Sequence, residues 1–592
     1  MQSNSLDSLV ASTVDESAGG CKSNAVISFI VENGTNRVLS RYGDAVWDLS
    51  PYTKTANREP SAMRVCWSSM PQSFVPGVKA VAHRYWVAGR PGGLRPSSTS
   101  VYLLVASLRR FLLWVSSLGI ERLADITPLH CTAWVQRCRQ KKLAPRSQKM
   151  SYWAIEALYV FRAHGEDAMQ THPWPESSAR RLSGLADTDQ TIPSTKLIPP
   201  PVVERLFRCS LELIDRADGL IERRDAGRIS WRHTDLVLLR TACYVVLGLV
   251  SGCRNHELAS IETGAIRQST HDGEVFYWLR GHSLKTHTGY TEWMIPEVGV
   301  RCVRILERLA IPMQAEIGAA LVAIEQRLVS MPTGSREYTT LLNQRRELEA
   351  DRHRLLLGKK NGSLPGCVTA SCWKQGMKQF AQYVGTDWDL ATHQLRRTFA
   401  ANVANHVLGD LVYLKHHYKH WSLDMTALYA LNAQQEEELF DEVLHAVREK
   451  KIRIIQHWLD NDTMIIGGAA GPIKAFRAKH QLASVTTRRR LIEDTAEVVN
   501  IRATGHGWCL ASDMGCGGQG LYEPTRCREC RNGVMDDGHV PVWKNILAHQ
   551  RELLVTAADC GSSGKRRVER DLAEAETVLR EFGIDVNGGS AT

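Results

Sequence analysis

The chain has 592 residues, more than a single hydrophobic core serves, so roughly three or four domains are expected. Apolar residues make up 43%, ample for globular cores, and 73 Lys and Arg against 63 Asp and Glu leave a net charge of +10, a bias towards a polyanionic partner. No run of about eighteen or more consecutive apolar residues occurs, and the opening MQSNSLDSLVASTVDESAGG lacks the basic region and apolar run of a secretory signal, so a soluble, cytoplasmic protein without a membrane partner is expected.

Residues 1 to about 75 mix polar and apolar positions without a sustained period and are expected to be partly ordered at best. Leu104, Leu108, Phe111, Leu112 and Val115 then recur at helical spacing. Further helical stretches at 132–139 and 147–162 complete a small all-helical domain over 76–185. Its basic residues, Arg109, Arg110, Arg137, Arg139, Lys141, Lys142, Arg146 and Lys149, suit phosphates and equally suit a solvated helix face. ADTDQTIPSTKLIPPP, at 186–201, reads as a linker ending at a helix start.

The domain over 202–450 opens on helical sequence, with a strongly apolar helix at 235–250, a β-hairpin at 275–295 and helices between about 370 and 450. A charged stretch rich in Glu, Arg, Leu and Gln, about 312–360, interrupts it as an inserted helical hairpin. That hairpin is expected to project into solvent, with DNA, another protomer or nothing as its partner. The fold class is mainly α with a small β-sheet, an α+β domain preceded by a helical one. Residues 451–592 form a Cys-rich extension whose last stretch, 565–582, reads as a solvated charged helix.

Four short motifs occur in order: Gly252-Cys253-Arg254-Asn255-His256-Glu257-Leu258 at the end of the apolar helix, Ser283-Leu284-Lys285-Thr286 on the hairpin, Thr392-His393-Gln394-Leu395-Arg396, and Lys419-His420-Trp421 followed by Tyr429. The set resembles the catalytic domain of tyrosine recombinases of the phage-integrase family. Members carry Arg within G-x-R-x-x-E-L, a hairpin Lys, H-x-x-R, a His or Trp, and Tyr nine residues later. The resemblance is strong over about 200–445, and the preceding helical domain is similar to the family's core-binding domain in position and pattern. Lys419 stands where members commonly have Gly, and Arg397 where His is frequent; neither departure removes a reacting group.

That resemblance implies site-specific cutting and rejoining of double-stranded DNA through a 3′-phosphotyrosyl intermediate, without ATP or a metal in the cutting step, by a homo-oligomer, a tetramer on DNA, associated with the nucleoid. Excess charge on the non-bridging oxygens of a pentavalent phosphate needs fixed cationic donors, and the planar, permanently charged guanidinium fork suits them. Arg254 and Arg396 are the expected phosphate clamp, His420 a further donor and Tyr429 the nucleophile. His393 is the expected proton acceptor, Lys285 the acid for the leaving 5′ oxygen and Glu257 a support. Tyr413 and Tyr418 are rival nucleophiles that precede His420 and so break the family order. The helical sequence after Tyr429 is either handed to a neighbouring protomer or packed at home. Integration or excision of a mobile element is the expected task; a same-chemistry resolvase or type IB-like topoisomerase, and a DNA binder without activity, are the alternatives.

Cys509, Cys516, Cys527 and Cys530 fall within one short, Gly-rich segment, with Cys527-x2-Cys530 at zinc-knuckle spacing. A structural Zn²⁺ over 506–550 is expected, with His506, His539 and His549 as substitute ligands; plain thiols, a redox pair and a zinc-dependent nuclease remain open.

Overall fold

The structure, a computed structural model, describes residues 23–32, 35–53, 57, 60–185, 195–271, 274–282, 290–332, 335–359, 362–407, 437–479, 485–511, 527–556 and 561–586. It is mainly α with small antiparallel sheets. Strands β1 (Val26–Glu32), β2 (Thr35–Arg41), β3 (Val46–Asp48) and β4 (Arg64–Cys66) precede helices α1 (Val75–Ala88), α2 (Ser98–Ser116), α3 (Pro128–Gln140) and α4 (Pro145–Val160). There follow α5 (Pro200–Asp215), α6 (Ala217–Asp225), α7 (Thr234–Ser251), the single turn α8 (Asn255–Leu258) and strands β5 (Ile266–His271), β6 (Glu274–His282) and β7 (Tyr290–Ile295). Next come α9 (Glu297–Val329), α10 (Arg336–Asp351), the short pair β8 (Leu357–Gly358) and β9 (Gly366–Cys367), α11 (Ala370–Val384) and α12 (Thr392–Val407). The last described elements are α13 (Glu437–Trp458), β10 (Ile465–Ile466), α14 (Ala470–Lys479), α15 (Val485–Val498), β11 (Arg502–Ala503), β12 (Trp508–Cys509), β13 (Gly533–Asp536), α16 (Val540–Thr556) and α17 (Gly561–Glu581). Two compact units result: residues 1–196 with 310–375, and 197–309 with 376–592.

In the first unit the described residues between 23 and 74 form strands and short turns that the local pattern does not mark. β1 pairs with β2 and β3 with β4, both antiparallel. Ile27, Trp47, Val65 and Trp67 share one core with α1–α4, and the rings of Trp47 and Trp67 meet edge to face at 4.8 Å. The helices supply the apolar cover, a non-local partner that no local period reveals. Buried Lys79 of α1 donates to the carbonyl oxygens of Tyr42 (2.9 Å), Gly43 (3.2 Å) and Asp44 (2.8 Å) and so ties the β2–β3 connection to the helix. One turn on, His83 lies edge-on to Tyr42 at 5.5 Å; burial pushes its pKa down to about 4, with the Arg84 charge adding to the fall. An unfolded histidine takes its proton near pH 6.5, so stability from keeping His83 neutral is complete above that value and is lost as pH falls towards 4. Urea midpoints that decline between pH 6.5 and 4, and decline less in His83→Gln, are the expected result.

The charged stretch near 312–360 does not project freely, as the sequence predicts for it; it belongs to this unit. Asn343 of α10 donates to Asp48 Oδ2 at 2.7 Å, Arg346 donates to Ser50 Oγ at 2.6 Å, and the Arg37 guanidinium stacks 4.5 Å from the Tyr338 ring. Burial alone would raise the Asp48 carboxyl, but hydrogen bonds from Ser50 and the charge of Arg64 hold it below the usual carboxylate range. Asn343→Leu removes one of two donors to Asp48 Oδ2, Arg64 Nε at 3.1 Å being the other, and is expected to lower stability by about 0.5–1.5 kcal/mol in urea unfolding.

α7 is the axis of the second unit. Its apolar residues leave no polar face, so the helix is buried nearly throughout, packed by α5, α12 and β7. α7 and α2 are long and apolar enough to cross a membrane by composition alone; 78% of the α7 window and 50% of the α2 window are buried in these cores. The predicted hairpin is present as β6 and β7, with β5 completing a three-stranded antiparallel sheet. Towards the C-terminus, β10, β13, β12 and β11 form a second small sheet with a core on either side, one holding Trp458, Ile492 and Trp508 and the other Met535, Trp543 and Leu579. α17 is not merely solvated: it buries Ala575, Val578 and Leu579 and packs against α16.

Candidate active site

α7 stops at Gly252, whose left-handed φ of 67° turns the chain sharply. Arg254 caps the next turn: its backbone N–H donates to Glu257 Oε2 at 2.6 Å and its Nη1 donates to Glu257 Oε1 at 2.9 Å. The R-x-x-E spacing therefore closes on itself, with one carboxylate holding both the backbone and the guanidinium of Arg254. Glu257 is fully buried, whereas the Arg254 side chain keeps 12% of its surface in solvent. Tyr244 supports the turn from α7, donating its hydroxyl to Asn255 Oδ1 at 2.9 Å.

Arg396 arrives from the second turn of α12 and is fully buried. Its Nη1 donates to the Gly252 carbonyl at 2.9 Å and lies 3.9 Å from Glu257 Oε2, while its Nε donates to Glu442 Oε1 at 2.7 Å. Arg254 and Arg396 thus share Glu257, although the sequence separates them widely. Close helix crossing makes this feasible: a Cβ on Gly248 of α7 would lie 2.7 Å from Leu395 Cδ1. His393 sits one turn before Arg396. Much of its ring reaches solvent, yet the surrounding protein depresses its pKa below the ordinary histidine value; the Glu442 carboxylate opposes that fall, and Arg396, Arg254 and Arg397 deepen it. A ring kept neutral in this way is fit to accept a proton.

The helix after residue 436 is packed within this unit. Glu442 binds Arg396, and Glu449, two turns along the same face of α13, accepts from Arg397 Nη2 at 3.0 and 3.1 Å. Neither carboxylate belongs to a motif, so the motif reading missed both; their seven-residue spacing was the available signal. Lys285, His420 and Tyr429, with the rivals Tyr413 and Tyr418, lie outside the described residues.

In the C-terminal extension Cys509, Cys527 and Cys530 are described and Cys516 is not. Two of the three substitutes, His506 and His539, are engaged elsewhere. His506 is buried, edge-on to Trp543 at 5.6 Å, and burial with the charge of His539 pushes its pKa down to about 4. His539 Nδ1 is 2.7 Å from Asp536 Oδ1, and His549 is exposed on α16. His457, Asp536 and Asp537 bring three potential ligand atoms within 4.8 Å of one another. Asp536 also accepts indole N–H groups from Trp458 and Trp508 at Oδ2, at 3.1 and 2.9 Å.

No family model and no curated protein matches the sequence. Solved structures that align with it are tyrosine recombinases and integrases. The Tn1549 transposon integrase in complex with transposon right end DNA is 14% identical over 64% of this chain and 99% of its own, with a TM-score of 0.30. The XerH site-specific recombinase bound to a palindromic difH substrate is 12% identical over 67% of this chain and 92% of its own, with a TM-score of 0.34. XerA recombinase is 15% identical over 62% of this chain and 96% of its own, with a TM-score of 0.18.

Proposed function

We propose that this protein is a tyrosine site-specific recombinase that cuts and rejoins double-stranded DNA, acting as an oligomer on the nucleoid to integrate or excise a mobile element. One observation carries the reading: Arg254 and Arg396, from motifs far apart in sequence, share the buried carboxylate of Glu257, with His393 beside them. A phosphate bound there would meet donors already fixed in orientation, so little reorganisation is needed as its charge grows. In the proposed step the Tyr429 oxygen attacks phosphorus, its proton passing to His393. The bond from phosphorus to the 5′ oxygen breaks, with Lys285 protonating the leaving oxygen to give a 5′ hydroxyl and His420 adding a donor to the phosphate. The phosphotyrosyl ester retains the bond's energy, so attack by another strand's 5′ hydroxyl reverses the step and rejoins DNA.

The test uses suicide duplexes carrying a nick beside the scissile phosphate, drawn from the ends of the element that encodes the protein. Covalent protein on a 3′ phosphate, abolished by Tyr429→Phe and retained in Tyr413→Phe and Tyr418→Phe, is expected. Duplex binding by wild-type protein with no covalent product under any of these conditions would leave a DNA binder instead.

A further inference from the structure

Among the described residues, one group of side chains outside the arginine site brings metal-ligating atoms together. It is His457, Asp536 and Asp537, whose imidazole nitrogen and carboxylate oxygens lie within 4.8 Å of one another. The group stands where the C-terminal extension meets the helix that carries Glu442. His457 is in the last turn of α13, Asp536 ends β13 and Asp537 opens the turn into α16. β10 follows α13 after a short connection and pairs Ile465 with Asp536, so the sheet itself draws these ends together.

The three side chains are oriented by contacts outside the group. His457 Nδ1 lies 3.3 Å from Thr463 Oγ1, which leaves Nε2 facing the carboxylates, 2.6 Å from Asp537 Oδ1. Asp536 is buried, and the Trp458 and Trp508 indoles fix its Oδ2. Its Oδ1 lies 2.7 Å from His539 Nδ1, and because a carboxylate oxygen has two lone pairs, one stays available to a further partner. Hydrogen bonds of this kind, made behind the ligands, are what hold a metal site in shape. His457 and Asp537 are about half exposed, so water can complete the coordination of an ion.

We propose that His457 Nε2 and one oxygen each from Asp536 and Asp537 bind a divalent first-row transition-metal ion. The imidazole favours a transition metal, and the two carboxylates suit its harder members, such as Mn²⁺. With both imidazoles neutral, as ligation requires, Asp536 and Asp537 leave two negative charges side by side, and a divalent cation cancels both. Bonds of about 2.0–2.2 Å set neighbouring ligands about 3–3.5 Å apart, so the 2.6 Å pair opens by less than about 1 Å to admit the ion. Once bound, the ion pins the last turn of α13 to β13, and the same helix holds Arg396 through Glu442 and Arg397 through Glu449. The inference does not rest on the recombinase reading, and its test reads metal rather than strand cleavage.

Chelator-stripped full-length protein titrated with Mn²⁺ should bind about one ion per chain, read as loss of the free-ion signal in electron paramagnetic resonance. Thiolates hold Mn²⁺ poorly, so the cysteines of the extension do not compete for this probe. Spin-echo modulation by a histidine nitrogen on the bound ion is expected in the wild-type chain, a readout that needs no variant. His457→Gln and Asp537→Asn should each weaken binding by at least about tenfold, and Thr463→Val by about tenfold through loss of the partner behind the imidazole. Asp462→Asn, at an exposed carboxylate nearby but outside the group, should bind as the wild type does. Wild-type protein that leaves Mn²⁺ free at millimolar concentration, bound Mn²⁺ without nitrogen coupling, or folded His457→Gln and Asp537→Asn chains of unchanged affinity would overturn the proposal.

Discussion

Arg396→Met is expected to cost about 3–5 kcal/mol of folding stability, the range for removing one partner of a buried charge network. The guanidinium is fully buried and serves three acceptors or partners at once: the Gly252 carbonyl, Glu442 and Glu257. Methionine fills similar volume and donates to none of them, leaving Glu257 to face Arg254 alone and Glu442 without its partner. Urea unfolding measures the loss. Arg396→Lys should fall between, because an ammonium keeps the charge without the planar fork. Adding Glu442→Leu to Arg396→Met should recover part of the stability by removing one stranded carboxylate, a coupling a double-mutant cycle reads directly. On the recombinase reading, strand cleavage should also drop by about 10²–10³ at temperatures where the variant is folded, the usual loss for one fixed donor on developing charge. An Arg396→Met chain as stable as its parent would sink the account of the network.

Which parts were legible beforehand depended on whether the partner was local. α7 was plain because its apolar run admits no solvent face, and the β6–β7 hairpin because its strands are neighbours in sequence. The R-x-x-E and H-x-x-R spacings single out Arg254, Glu257, His393 and Arg396, and the structure brings these side chains together. β3 and β4 are three residues each and meet across a long connection, so no period marks them. The bond from Asn343 to Asp48 joins residues nearly three hundred positions apart, and a charged helix looks solvated until the polar surface that receives it is known. Glu442 was hidden for the same reason: in an acidic run every carboxylate looks alike, and burial of its partner alone singles it out.

Gly252→Ala tests whether the same corner depends on backbone geometry as well as charge. Gly252 has φ 67° and ψ 10°, where an L side chain costs roughly 1–2 kcal/mol. A Cβ would also lie 2.5 Å from Phe399 Cδ1 and 2.9 Å from Cε1, an overlap that a packed ring relieves only by shifting, at about 1–3 kcal/mol more. The expected total is about 2–5 kcal/mol in urea unfolding. Displacing the Gly252 carbonyl would also pull on Arg396, so on the recombinase reading DNA binding should weaken with stability rather than independently of it. Asparagine separates the two costs, since it tolerates the left-handed region better than alanine but carries the same Cβ. Phe399→Leu, which trims the ring, should therefore restore Gly252→Asn more fully than Gly252→Ala. Equal rescue of both would assign the whole cost to the ring; no rescue of either, with alanine within about 1 kcal/mol of glycine, would show that neither the turn nor the ring constrains this position.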